Sequence, residues 1–340
     1  QCDTKTKKMV YCDKCGLTEK SKCQHQNPAN FKLQRIDISH YLNNILKKQN
    51  MQGYPDLIKG VRGTSNKDHI PEHFAKGILR AKHDINVNKD GTTRYDMTQL
   101  PITHFKPVEI ETTIEELKSL GYQKDINGID LENQEQILEL KPQDIILPKC
   151  EDAPEPGADK VLYNVGRFID DLLVSLYNLD KFYNFKSEKD LVGHLVVALA
   201  PQTSEGIVGR IIGFSQTHGF YAHPLMHAAT RRDCDGDEAS ITLLMDALLN
   251  FSRQFLPDTR GSTQDAPLVL TSILNPTEVD DMIFDVDVAQ RYPAEFYEAT
   301  LEYKMPWNVK VKRFIDILNS KDSIELKFTH PTSNINDGIK

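Results

Sequence analysis

Between positions 161 and 179 the apolar residues Val165, Phe168, Ile169, Leu172, Leu173 and Leu176 recur at helical spacing. The pattern then changes. His194–Pro201 and Ile207–Phe214 are nearly unbroken apolar runs and read as buried strands. The polar turn Gln202–Gly206 separates them. Tyr221–Thr230 mixes apolar and small residues and reads as a third strand, while Ala239, Ile241, Leu243, Leu244, Met245, Ala247, Leu248 and Leu249 read as a helix. Upstream, Phe31–Lys48 carries Ile36, Ile38, Leu42, Ile45 and Leu46 and predicts a helix with a basic surface. Residues 76–110 look β-rich, with alternation around Lys89-Asp90-Gly91 as in a hairpin. Thr112 or Thr113 caps a short helix that Gly121 stops.

Residues 150–158 (CEDAPEPGA) are the clearest linker. The chain therefore divides into a cysteine-rich module (1–28), an α+β accessory region (29–150), a main β-containing region (151–305) and a weakly patterned C-terminal segment (306–340). The fold class is mixed α+β and multidomain. Nowhere do twenty apolar residues run together and the N-terminus is polar, so neither a membrane span nor a signal peptide is expected. A cytoplasmic protein is the expectation.

Charge is unevenly placed. Residues 1–50 carry ten Lys or Arg against four Asp or Glu, and residues 51–100 carry eight against six. With a net charge of −8 overall, the remaining 240 residues hold −16. A basic N-terminal part suits a phosphate backbone, and an acidic remainder suits cations. Lys59-Gly60-Val61-Arg62-Gly63 offers a basic loop, read either as a phosphate contact or as a plain turn.

The densest chemistry is Asp233-Cys234-Asp235-Gly236-Asp237-Glu238, directly behind Arg231 and Arg232. Acidic residues at a helix start can simply favour the helix dipole. Four carboxylates in six residues repel one another, however, and all-oxygen ligands select Mg²⁺, Mn²⁺ or Ca²⁺. An EF-hand loop is excluded, because Glu238 and Leu244 stand where that motif needs Gly and Glu. The chain has neither GxGxxG nor GxxxxGK[ST]. Nucleotidyl transfer remains, with carboxylate-held metals and Gly236 permitting close approach of a ligand. Arg231 and Arg232 are candidate phosphate contacts or counter-ions to the acids. His223 and His227, four apart, are candidates for positioning a nucleotide or the loop, or for a structural role. Cys234 reads as a packed residue rather than a nucleophile.

Cys2, Cys12, Cys15 and Cys23 crowd the first 25 residues. Cys12-Asp-Lys-Cys15-Gly16 has the form of a zinc knuckle. Cys2 and Cys23 complete a structural Cys₄ zinc site, with His25 as a substitute fourth ligand.

HPLMHAATRRDCDGDE (223–238) resembles the active-site segment of the large, catalytic subunit of the archaeal D-family DNA polymerases. The likeness extends to Gly193–Tyr221, Asp246–Arg253, Asp265–Val269, Lys76–Asp84, Leu100–Pro107, Leu140–Ile146 and Tyr292–Thr300. The DxDGD core alone also resembles the metal loop of the largest subunit of multisubunit RNA polymerases, leaving an RNA-polymerase-like nucleotidyltransferase as the rival. A non-catalytic nucleic-acid-binding scaffold is a second rival. The resemblance implies a double-psi β-barrel and zinc modules. It also implies Asp235 and Asp237 as the catalytic pair holding two Mg²⁺ ions, and Asp233 as a third ligand. As partners it implies primer-template DNA, deoxynucleotides, a small proofreading-nuclease subunit and a sliding clamp. It places the family's basic nucleotide-binding segment upstream of residue 1, so this chain is expected to be part of a larger polypeptide and inactive alone.

Overall fold

The computed structural model describes residues 9–25, 28–33, 35–61, 72–149, 151–252, 254–257, 263–288, 291–317 and 334–337. The chain forms two compact units, Gln1–Tyr54 and Pro55–Lys340.

In the first unit, strands β1 (Met9–Cys12) and β2 (Gly16–Glu19) pair antiparallel across the Cys12–Gly16 knuckle. Gly16 takes the left-handed φ of +72° that the turn requires. Tyr11 and Ala29 exchange backbone hydrogen bonds of 2.7 and 2.8 Å, which lays the following chain against β1. Helix α1 (Ile38–Lys48) starts where the Asp37 side chain accepts from the His40 amide. The predicted helix thus exists but begins seven residues later, and Phe31, Leu33 and Ile36 stay exposed.

The second unit opens with α2 (Phe74–Lys82), where a β-rich stretch was expected. Ala75, Ile78 and Leu79 follow helical spacing and are buried, and the His73 ring caps the Ala75 amide. Only the turn of the expected hairpin forms, with the Asn88 amide donating to Thr92 O at 2.9 Å. Among the described residues no strand flanks this turn directly, and past it the carboxylates of Asp90 and Asp246 take the amides of Thr92 and Thr93.

Strand β3 (Tyr95–Pro101) follows, then β4 (His104–Phe105), α3 (Ile114–Ser119), β5 (Leu138–Glu139) and β6 (Asp144–Pro148). Thr113 and Glu116 form a capping box on α3 as the sequence predicts. Helix α4 (Ala158–Leu172) bears the predicted apolar face, with Val165, Phe168, Ile169 and Leu172 wholly buried. A π-helical turn, Leu173–Tyr177, extends it.

Strands β7 (Leu195–Leu199) and β8 (Glu205–Ser215) match the predicted apolar runs. Two expectations then fail. Only β9 (Gly219–Ala222) of the third predicted strand is extended; Pro224 opens the short helix α5 (Pro224–Ala229). The predicted helix beyond residue 238 is first a strand, β10 (Glu238–Leu243), and only then α6 (Leu244–Asn250). β11 (Gln254–Pro257), β12 (Thr263–Ala266), β13 (Val269–Thr271), α7 (Ala294–Leu301) and α8 (Phe314–Ile317) complete the described elements.

Seven strands form one mixed sheet in the order β13-β8-β6-β9-β3-β10-β7, and β7 also pairs with β8. Six of them therefore close on themselves. The segment read as a linker joins two halves of this one sheet. Alternation along β6 separates two cores: Ile145 and Leu147 join the cluster containing α4, and Ile146 joins that of residues 102–140. Tyr122, Asp144 and Arg210 tie the latter region to the sheet, Asp144 accepting from Tyr122 at 2.6 Å and from Arg210 at 2.8 Å.

The β6–β8 register shifts between Ile145 and Ile146, whose partners are Ile211 and Gly213. Ile212 is the extra residue of a bulge. At Gly213 a Cβ would lie 2.5 Å from Ile110 O and 2.7 Å from Thr112 Oγ1. Gly213→Ala is expected to destabilise the chain by roughly 1–3 kcal/mol, as overpacking does, read as a lowered midpoint in urea unfolding.

Candidate functional site

The acidic loop runs from helix to strand, the reverse of the expected order. Local bonds fix both of its ends. At the helix end the Thr230 hydroxyl donates to His227 O at 2.7 Å, and Arg231 turns the chain with a φ of +61°. At the strand end Gln99 N donates to Asp237 O at 2.9 Å, and Glu238 pairs with Thr98. Gly236, at φ +101°, makes the bend between Asp235 and Asp237 that a side chain would strain. The loop is thus stretched between α5 and a strand that is paired on both edges, by β3 and by β7.

Asp233 and Asp235 are exposed and, among the described residues, have neither hydrogen-bond nor ion-pair partners. Asp237 is half-buried, with Arg232 Nη1 at 3.6 Å from its Oδ2. The three carboxylates do not converge as one cluster within 4.8 Å among the described residues. As a donor set they nevertheless fit a hard divalent cation, being all oxygen, with Asp233 and Asp235 open to solvent and Asp237 held by an ion pair but no hydrogen bond. Cys234 packs against the cluster containing Leu225, Ala228 and Val279. Burial, with Asp233 and Asp235 on either side, pushes its thiol up to about 12, so it is protonated and inert at neutral pH.

The two adjacent arginines have separate surroundings. Arg232 is largely buried and donates to Gln202 Oε1 at 2.6 Å. Arg231 is exposed and lines a cavity of about 490 Å³ with Glu205, Gly206, Asn275 and Glu278. His223 caps α5, its Nδ1 accepting from the Leu225 amide at 3.1 Å. His227 is fully buried edge-on to Phe220, and among the described residues neither ring nitrogen makes a well-formed hydrogen bond. Burial first, and for His223 also the neighbouring His227 and His104, lowers both rings to about 4. Both are neutral supports of the helix entering the loop. Lys59 pairs with Asp84 at 3.2 Å, on a segment held by Arg80 through Lys59 O. Arg62 and Cys2 lie outside the described residues.

The sequence reading missed Gln202. It stands thirty residues before Arg232, and only the β7–β10 pairing brings their loops together. No local signal marked it.

In the first unit Cys12, Cys15, Cys23 and His25 place their ligand atoms within 4.8 Å of one another. Cys15 Sγ is 3.1 Å from His25 Nδ1, and Cys23 Sγ is 4.0 Å from it. Backbone amides of Cys15 and Lys14 bring the Cys12 thiol down to about 7, the usual environment of a ligating thiolate. Burial and the thiols of Cys12 and Cys23 push Cys15 up to about 11. A bound cation would remove that penalty by stabilising all three thiolates together. Three sulfurs and one nitrogen make a closed tetrahedral donor set, the kind zinc takes in structural sites. His25 supplies the fourth potential ligand atom among the described residues.

The family model described as the catalytic domain of the DNA polymerase II large subunit DP2 matches residues 50–340. The DNA polymerase II large subunit of Archaeoglobus fulgidus is 48% identical over 345 residues, spanning 100% of this chain and 30% of that protein. The proteins of that name from Nanoarchaeum equitans and Pyrococcus furiosus are each 47% identical, over 94% and 97% of this chain. This chain covers 27% and 25% of their lengths.

Purified chain is expected to hold one zinc ion by elemental analysis. Cys12→Ser, Cys15→Ser and His25→Ala should each lose or loosen it. A second expectation concerns pH. The unfolded chain protonates His227 near pH 6.5 and the folded chain only near 4, so stability from this ring is full above 6.5 and lost as pH falls toward 4. His227→Leu should flatten that slope by up to about 3 kcal/mol across the window, measured by denaturation at a series of pH values.

Proposed function

The chain belongs to the family of the DNA polymerase II large subunit DP2 catalytic domain, and on that premise we propose that it is the metal-holding catalytic part of a DNA-directed DNA polymerase. It spans under a third of the length of the relatives it matches, so the activity proposed is that of the complete enzyme. In this reading the enzyme is the archaeal D-family replicative polymerase. Its substrates are primer-template DNA and deoxynucleotides, and its partners are a small proofreading-nuclease subunit and a sliding clamp. It acts in the cytoplasm. Among the described residues no helix is long and apolar enough to cross a membrane.

The observation that carries the reading is the acidic loop itself. Within the family-matched region, Asp233, Asp235 and Asp237 stand on a bend anchored at both ends, two of them without partners. Asp235 and Asp237 would be the principal ligands and Asp233 a third. Two Mg²⁺ ions, or Mn²⁺ in their place, would activate the primer 3′-hydroxyl and neutralise charge on the departing pyrophosphate. The chain's own contribution is to hold the carboxylates at the surface and to keep Cys234 protonated. It also places Arg231 and Arg232 beside the acids, where anionic phosphates would meet them. We take the closed six-stranded sheet as a double-psi β-barrel and residues 151–305 as its catalytic region, with Cys12, Cys15, Cys23 and His25 as a structural zinc module.

In the reconstituted complete polymerase, Asp235→Ala and Asp237→Ala are each expected to lower primer extension by roughly a hundredfold or more while leaving DNA binding unchanged. Deoxynucleotides should be incorporated in preference to ribonucleotides. Extension that survives both substitutions would reject the catalytic assignment, and a preference for ribonucleotides would reject the DNA polymerase.

A further inference from the structure

Arg232 and Asp237 stand at a distance that needs explaining. An arginine fork beside a carboxylate ordinarily closes to two parallel hydrogen bonds of about 2.7–2.9 Å. Here Nη1 stops 3.6 Å from Asp237 Oδ2, an ion pair without a hydrogen bond. The other terminal nitrogen is committed elsewhere, donating to Gln202 Oε1 at 2.6 Å. Nε is buried and, among the described residues, has no acceptor.

The base of Gln202 is rigid. Its turn is closed by the Thr203 amide on Ala200 O at 3.0 Å. Arg94 donates to Pro201 O at 2.9 Å and pairs with Asp90 at 2.6 Å, both side chains being 2% exposed. On the far side the Val269 amide donates to Ser204 O at 2.8 Å. A fixed backbone thus presents the amide oxygen that restrains the guanidinium.

We propose that Gln202 is a positioning residue that holds Arg232 off Asp237, keeping that carboxylate open to a divalent cation while leaving a positive charge beside it. This rests on the metal-holding reading of the loop given above. Without the tether Arg232 would close onto Asp237, the one loop aspartate with a basic neighbour within ion-pair distance among the described residues. With it, Asp237 keeps its lone pairs, and the unspent donors of Arg232 remain for an anionic ligand. Gln202 touches no reacting atom in this account; it acts through Arg232.

The test is Mn²⁺ binding to the full, zinc-loaded chain, followed by the loss of the free-ion electron paramagnetic resonance signal. Gln202→Ala should weaken Mn²⁺ binding about two- to fivefold, the scale of an ion pair closing on a ligand. Arg232→Gln should tighten it. In the Arg232→Gln background, Gln202→Ala should then have no further effect. That reversal is one a merely structural role for Gln202 would not produce. Because Gln202 is exposed, the thermal midpoint is expected to stay with the parent's. Unchanged or tighter binding in Gln202→Ala overturns the proposal, as does a weakening that persists without Arg232. Mn²⁺ binding by the parent that Asp235→Ala and Asp237→Ala leave intact, or no binding at all, would overturn the reading of the loop and this inference with it.

Discussion

Strand β8 is the constraint from which the site follows. Along its eleven residues it pairs with β13 and β7 near its start and with β6 toward its end. A strand engaged on both edges by different partners cannot slide in register without breaking every ladder at once. The β7–β8 pairing closes the sheet, and the turn between those strands then lies next to the loop that precedes β10. The acidic residues are surface residues, but their place is set by backbone hydrogen bonding several strands away.

What was legible in the chain depended on how local its cause was. The α3 capping box, the apolar face of α4 and the knuckle at Cys12–Gly16 each follow from residues within a few positions of one another. The two apolar runs at β7 and β8 were also plain, because strands buried on both faces need no alternation. One failure came where two elements abut with no glycine or proline between them. Glu238–Leu243 and Leu244–Asn250 form one apolar run, and only Ile241 and Thr242 hint at the strand that comes first. In α2 the helical spacing of Ala75, Ile78 and Leu79 was present but short. The site divided the same way: the aspartates announced themselves, whereas Gln202 gained its place only through the sheet.

The loop's electrostatics are asymmetric. Two aspartates face solvent without counter-ions among the described residues, and the third has an arginine near it that is not fully engaged. Apart from Arg232, the buried groups next to the bend described above carry no charge. His223 and His227 are neutral under α5, and Cys234 keeps its proton. In the proposed reading cation affinity would be concentrated at the surface of the bend, above two rings and a thiol that stay uncharged at neutral pH.

That arrangement bears on how the loop tolerates oxidising conditions. A thiol flanked by two acids and raised to about 12 is a thiolate in only on the order of 10⁻⁵ of molecules at neutral pH. Peroxide and electrophiles attack the anion, and the packing of Cys234 against Leu225 and Val279 limits their approach. The centre of the acidic bend is therefore shielded from sulfenylation and alkylation without any dedicated reductant.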